Sequence, residues 1–158
     1  MNTYLVVKWL HIVSSVLMVG TGLGSAFYMF FVNRSGCLPA QAVVSRLVVR
    51  ADWCFTTPTV LIQPASGLLL AHLAGWPLTT PWLALSLGLF LLAGACWLPV
   101  VWLQIRMAAM AQQALAGQAA LPPLYGRYAR YWETLGYPAF VAMALVFFLM
   151  VNKPGLWG

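Results

Sequence analysis

Two histidines, His11 and His72, are the side chains of this sequence best suited to holding a metal or a heme iron. An imidazole nitrogen is a good ligand for iron and copper. His11 shares one face of a helical projection with Ser15, Met18, Gly22, Ser25 and Met29, and Ser14 lies just beside it. A second polar file, Asp52, Thr56, Thr59, Gln63 and Ser66, recurs by fours and threes. Pro58 and Pro64 fall within that file. Each removes a helix donor and frees a carbonyl, so a kinked helix is expected, with hydroxyls and the Gln63 amide satisfying the freed groups. Two histidines at similar depth on neighbouring helices would ligate one heme b from both sides. His11 is then the axial ligand and His72 the second, with Met18 beside them and with Ser15 and Gly22 leaving room for the macrocycle. Such an iron would take up or pass on one electron, and a quinone is a suitable redox partner. On a straight helix, however, His72 points away from the Thr56–Gln63 file, so an interfacial place beside Trp76 stands as an equal alternative to ligation, which the proline kinks would have to restore. Two alternatives stand next to heme. One is a copper-handling or small-solute permease, with His11, Met18 and Met29 as soft donors. The other is a non-enzymatic scaffold or accessory subunit whose polar faces only pack.

The elements that must position these residues follow from composition. Of 158 residues, 63% are hydrophobic and 6% charged, against about 25% charged in soluble domains. A soluble surface cannot be made from so few polar groups, whereas a bilayer span needs about 20 mostly apolar residues. The expected fold is all-α: one transmembrane domain over residues 1–158, an integral membrane four-helix bundle with spans at about 5–32, 53–74, 82–105 and 135–151. Gly75-Trp76-Pro77-Leu78-Thr79-Thr80-Pro81 reads as a tight turn, and Asn152-Lys153-Pro154-Gly155 as a stop. The first apolar run continues far beyond the core of a signal peptide, so the first helix is expected to be retained.

Charge sets the expected orientation. Arg34, Arg46, Arg50, Arg106, Arg127 and Arg130 fall between spans one and two or three and four, while Lys8 and Lys153 occupy the other side. The positive-inside tendency places the arginines in the cytoplasm and both termini outside. Pro39–Ala51 reads as a short surface-lying helix in the first cytoplasmic loop. The second connection, with Tyr125, Arg127, Tyr128, Arg130, Tyr131 and Trp132, reads as an aromatic and basic girdle in the head-group layer. Asp52 is expected to pair with Arg46 or Arg50. Span four, almost without polar residues beyond Glu133, Thr134 and Tyr137, reads as a supporting, lipid-facing helix.

Several chemistries are excluded. The net charge of +6 sits between apolar runs and reflects topology and contact with lipid head groups; nucleic acid is not an expected partner. Cys37, Cys54 and Cys96 form no CxxC pair and are expected as free thiols. With two acids in the chain and no phosphate loop or HExxH, paired-carboxylate and metalloprotease mechanisms have no basis. Gly20 and Gly24 give a small-xxx-small spacing that permits close helix approach, including a homodimer.

The opening KWLHIVSSVLMVGTGLGSAFYMF resembles the first helix of membrane families that include the copper-resistance protein CopD and the HemJ-type protoporphyrinogen oxidases. ADWCFTTPTVLIQPASGLLLAHLAGWPLTTPW and GACWLPVVWLQIRM are similar to a bacterial inner-membrane family catalogued as domain of unknown function 2269 (DUF2269), over nearly the full chain. The HemJ-like resemblance implies heme b with a first-helix histidine, which falls on His11. The CopD-like resemblance implies copper. The basic residues that HemJ-type relatives use within the bundle have no equivalent here, since Arg106 lies at a helix end.

Overall fold

Helix starts and stops follow the proline and glycine positions of the chain. The computed structural model describes residues 2–154, so Gly155 of the expected stop lies outside the described residues. The elements are α1 (Thr3–Arg34), α2 (Leu38–Ala51), a π-helical turn (Asp52–Thr56), α3 (Thr57–Leu73), α4 (Pro81–Ala116) and α5 (Pro123–Asn152). Among the described residues there is no strand. Prolines occupy the first turn of α2, α4 and α5, where a missing N–H costs nothing. After α3 the chain reverses at Gly75, whose φ of +73° suits glycine. Trp76 N–H closes that turn on the Ala71 carbonyl at 2.9 Å.

α2, the π turn and α3 form one continuous rod, Leu38–Leu73, so there are four helices long and apolar enough to cross a membrane. The expected loop helices do not stand apart. Leu38–Ala51 runs straight on into α3, and Tyr125–Trp132 is the beginning of α5. The reason is that the true breaks, Ser35-Gly36-Cys37 and the stretch before Pro123, are short, and nothing between them and the spans interrupts helical hydrogen bonding. At the helical rise, rods of 30 to 36 residues measure about 45–54 Å, more than the ~30 Å hydrocarbon layer. The surplus lies at the arginine-rich end. From Asp52 to Leu73 the second rod rises about 30 Å, so Asp52 stands near the boundary of the apolar layer.

The π turn has a local cause. Pro58 has no N–H to offer the carbonyl four residues back, and its ring crowds that turn. One extra residue per turn relieves this, and Thr57 N–H bonds instead to the Asp52 carbonyl, five residues back.

α1 packs on the second rod, α4 on α5 and α2 on α4, whereas α1 and α5 barely touch. The larger core is at the arginine-rich end, where Met29, Val48, Leu103, Met107, Ala111, Tyr125 and Trp132 are buried together. Interhelical bonds reinforce it: Tyr125 Oη donates to Asn33 Oδ1 at 2.7 Å, and Gln112 Nε2 to the Ala42 carbonyl at 2.7 Å. A smaller core of Ala71, Trp82, Leu83 and Leu149 closes the other end. Beside the larger core, between α1 and α5, the bundle is hollow.

Candidate functional site: an intramembrane cavity

That hollow is a cavity of about 340 Å³. It is walled by α1 (Met18, Gly22, Phe30), the second rod (Asp52, Thr56, Val60), α4 (Phe90, Gly94, Trp97, Gln104) and α5 (Trp132, Glu133, Tyr137, Phe140, Met143). It lies where α1 and α5 fail to meet. Glycine at 22 and 94 keeps its walls thin: a Cβ at Gly94 would meet nothing within 4 Å, and one at Gly22 would reach only the Phe140 ring at 3.9 Å.

At the arginine-rich end the cavity closes on a hydrogen-bonded cluster. Asp52, 3% exposed, accepts from Thr56 Oγ1 at 2.8 Å. With its amide turned to satisfy both neighbours, Gln104 donates to Asp52 Oδ2 at 2.5 Å and accepts from Trp132 Nε1 at 3.2 Å. The cluster ties three rods together. Asp52 therefore does not pair with Arg46 or Arg50; the turn to which it belongs aims it inward. Beside it, Arg34 at the end of α1 forms a bidentate pair with Glu133 of α5, at 2.7 and 2.9 Å. This bridges the two helices that otherwise leave a gap. α5 is thus a wall of the cavity and not the purely lipid-facing support that its sequence suggests.

The two polar files meet each other elsewhere. Ser14 donates to Gln63 Oε1. His11 Nδ1 lies 2.9 Å from Ser66 Oγ and its Nε2 3.3 Å from Gln63 Nε2. Ser66 already donates to the Ile62 carbonyl at 2.7 Å, and Gln63 presents an NH₂ group. The Nδ1–H tautomer satisfies every partner: Nδ1 donates to Ser66 and Nε2 accepts from Gln63. The imidazole lies flat on α3, where Cε1 would stand 3.1 Å from a Cβ at position 67. Gly67 makes that approach possible.

The five residues suggested for a cofactor are therefore divided. Met18 and Gly22 line the cavity. His11 is packed on α3, and Ser15 is buried with its hydroxyl bonded to the Ile12 carbonyl at 2.8 Å. His72 is exposed near the end of α3, about 120° round that helix from Ser66. His11 and His72 do not face one another. An iron ligand needs an unprotonated ring nitrogen directed at the metal, and His11 Nε2 is directed at the Gln63 amide. The residues present do not fit a bis-histidine heme. Among the described residues no group of three or more His, Cys, Asp or Glu side chains is placed to hold a metal ion. Gly20 and Gly24 face open space on the side of α1 away from the cavity.

Fold and site together define an all-helical integral membrane protein with four helices fit to span a bilayer. The family model described as "Predicted integral membrane protein (DUF2269)" matches residues 5–154, and the chain belongs to that family. Neither a curated protein nor a solved structure matches it significantly.

Proposed function

We propose that this is a membrane-embedded binding protein that takes a lipophilic small molecule from the bilayer into the cavity between its helices. The observation that carries the reading is the apolar, aromatic-walled cavity ending on a buried carboxylate cluster. Its size falls in the range of small-molecule sites, and a few convergent polar groups in an apolar chamber are the usual plan of such a site. An ionisable residue at the edge of the apolar layer that faces the bundle interior instead of the head groups is a candidate functional position. The gap between α1 and α5 supplies an entrance from the lipid side. The polar files around His11 and Gln63 pack against one another, which favours a structural seam there over a solute path. In the orientation that the six arginines favour, the Asp52 cluster lies at the cytoplasmic side of an inner membrane and both termini lie outside.

The test is photolabelling of the purified full chain with 3-trifluoromethyl-3-phenyldiazirine, a neutral aromatic probe small enough for the cavity. Label on Phe90, Trp97, Phe140 and Met143, diminished by filling the space with Gly94→Leu, is the expected result. Label confined to lipid-facing side chains such as Leu61, Leu91 and Leu98, and indifferent to Gly94→Leu, would overturn the proposal.

A further inference from the structure

We infer that the molecule this cavity takes is a lipophilic organic cation, held with its charge toward Asp52. The inference rests on the binding reading above and specifies its ligand. Charge distribution is the first observation. The chain carries eight Lys or Arg and two acids, yet both acids, Asp52 and Glu133, are on the wall of this one cavity. In a protein of net charge +6, the cavity is where the negative charge is gathered.

The two acids differ in how they are compensated. Glu133 is held by Arg34 in a bidentate pair. Asp52 receives only neutral donors, the Thr56 hydroxyl and the Gln104 amide. A carboxylate taken out of water is stabilised far better by an opposite charge than by neutral hydrogen bonds. The structure therefore offers a buried carboxyl group whose counter-charge, once it ionises, the protein itself does not supply.

The walls select the kind of cation. Phe90, Trp97 and Phe140 line the cavity, and the face of an aromatic ring attracts a desolvated cation; the Phe30 ring is already engaged by Arg34. A hard metal ion would need six or more oxygen ligands, which these walls cannot provide. A quaternary or tertiary ammonium bearing apolar substituents matches both features, since its skeleton fits the apolar wall and its charge is met by rings and carboxylate. The same chamber without Asp52 would suit a neutral molecule equally well. The carboxylate is what makes the difference.

The experiment compares two probes of nearly the same shape, benzyltrimethylammonium and its neutral isostere neopentylbenzene. Each is titrated as a competitor against diazirine labelling of the α4 segment that contains Trp97, using the full chain in detergent. Partitioning differs between the probes but is the same for wild type and variant. The readout is therefore each probe's ratio of half-protecting concentrations in Asp52→Asn and wild type. The expected ratio is about tenfold or more for the cation, which loses its partner charge, and about one for the hydrocarbon. Retained cavity labelling in Asp52→Asn shows that the fold is intact. Should that variant not be recovered, Trp97→Leu removes a ring face without touching the Asp52 cluster, with labelling then read at Phe140. The cation's ratio should again exceed that of the hydrocarbon several-fold. Equal ratios for the two probes, or a larger one for neopentylbenzene, would overturn the cation assignment while leaving the cavity reading in place. Absence of cavity labelling altogether would instead sink the binding reading itself.

Discussion

Gly67→Val tests the contact between α1 and α3 on which the placement of His11 depends. A Cβ at position 67 would sit 3.1 Å from His11 Cε1, and the added methyls of valine must go beyond it. The ring cannot simply tilt away, because Ser66 at 2.9 Å and Gln63 at 3.3 Å hold its two nitrogens. Displacing it forfeits both bonds, at about 0.6 kcal/mol each on the average for side-chain bonds in membranes. Overpacking adds about 1–3 kcal/mol. The expected loss is about 2–4 kcal/mol. His11→Ala alone loses the two bonds and leaves the Gln63 NH₂ without its imidazole acceptor, while Gln63 Oε1 keeps Ser14 and Ser66 keeps the Ile62 carbonyl; it costs about 1–2 kcal/mol. The strong expectation is the coupling. Once His11 is truncated, valine at 67 has room, so in the His11→Ala background Gly67→Val should cost less than ~1 kcal/mol. The assay is reversible unfolding in mixed micelles with rising dodecyl sulfate, read by circular dichroism, for the two single variants and the double. Additive losses, with no coupling between positions 11 and 67, would refute the packing argument.

Other outcomes follow from the same geometry. Gln104→Leu leaves Asp52 with Thr56 alone and orphans Trp132 Nε1, so a loss of about 1–3 kcal/mol in the same unfolding assay is expected; an unchanged midpoint would contradict the cluster. Arg34→Ala breaks a pair whose cation is half exposed; it should leave the unfolding midpoint nearly unchanged yet raise diazirine labelling near Phe30 as the α1–α5 gap loosens. Pro58→Ala restores the missing donor, so the π turn should relax toward α-helical register and turn Asp52 away from Gln104, seen as a shift in the Trp132 indole proton resonance. Cys37 and Cys54 are exposed, one beyond the apolar layer and the other among lipid-facing side chains. A charged maleimide should therefore modify Cys37 quickly and Cys54 hardly at all, and should reach Cys37 from the cytoplasmic face of inverted vesicles if the arginines set the orientation.

Much of this architecture was legible in the sequence. The four apolar runs and their proline and glycine stops are strong signals because a bilayer permits so few alternatives. The Asp52–Ser66 file was visible from its spacing, and all five of its members are buried. What the spacing could not give was the partner of each residue. Asp52 lies two residues from Arg50 in sequence, but the π turn that Pro58 imposes changes the angular register, and its carboxylate meets Gln104 instead. His11 and His72 have the depth for a shared ligand, yet depth says nothing about facing, and Gly67 brings His11 onto α3. α5 faces lipid with Val141, Leu145 and Phe148, and its second face is illegible for a chemical reason: Phe140 and Met143 have the same apolarity whether they meet lipid or an empty chamber. Glu133 was the available signal, because a carboxylate on a helix otherwise apolar through the membrane needs a partner, and Arg34 was there to supply it.

A cryo-electron microscopy structure of the full chain in lipid nanodiscs, enlarged by a bound antibody fragment, would show the chamber itself. α1 and α5 should stand apart along the stretch between Met18 and Phe30, with non-protein density beside Trp97 and Phe140. Asp52 should close the chamber against Gln104. A bundle in which α1 and α5 pack together, with the Phe30 and Phe140 rings filling the space and no chamber above Asp52, would contradict the proposed binding cavity.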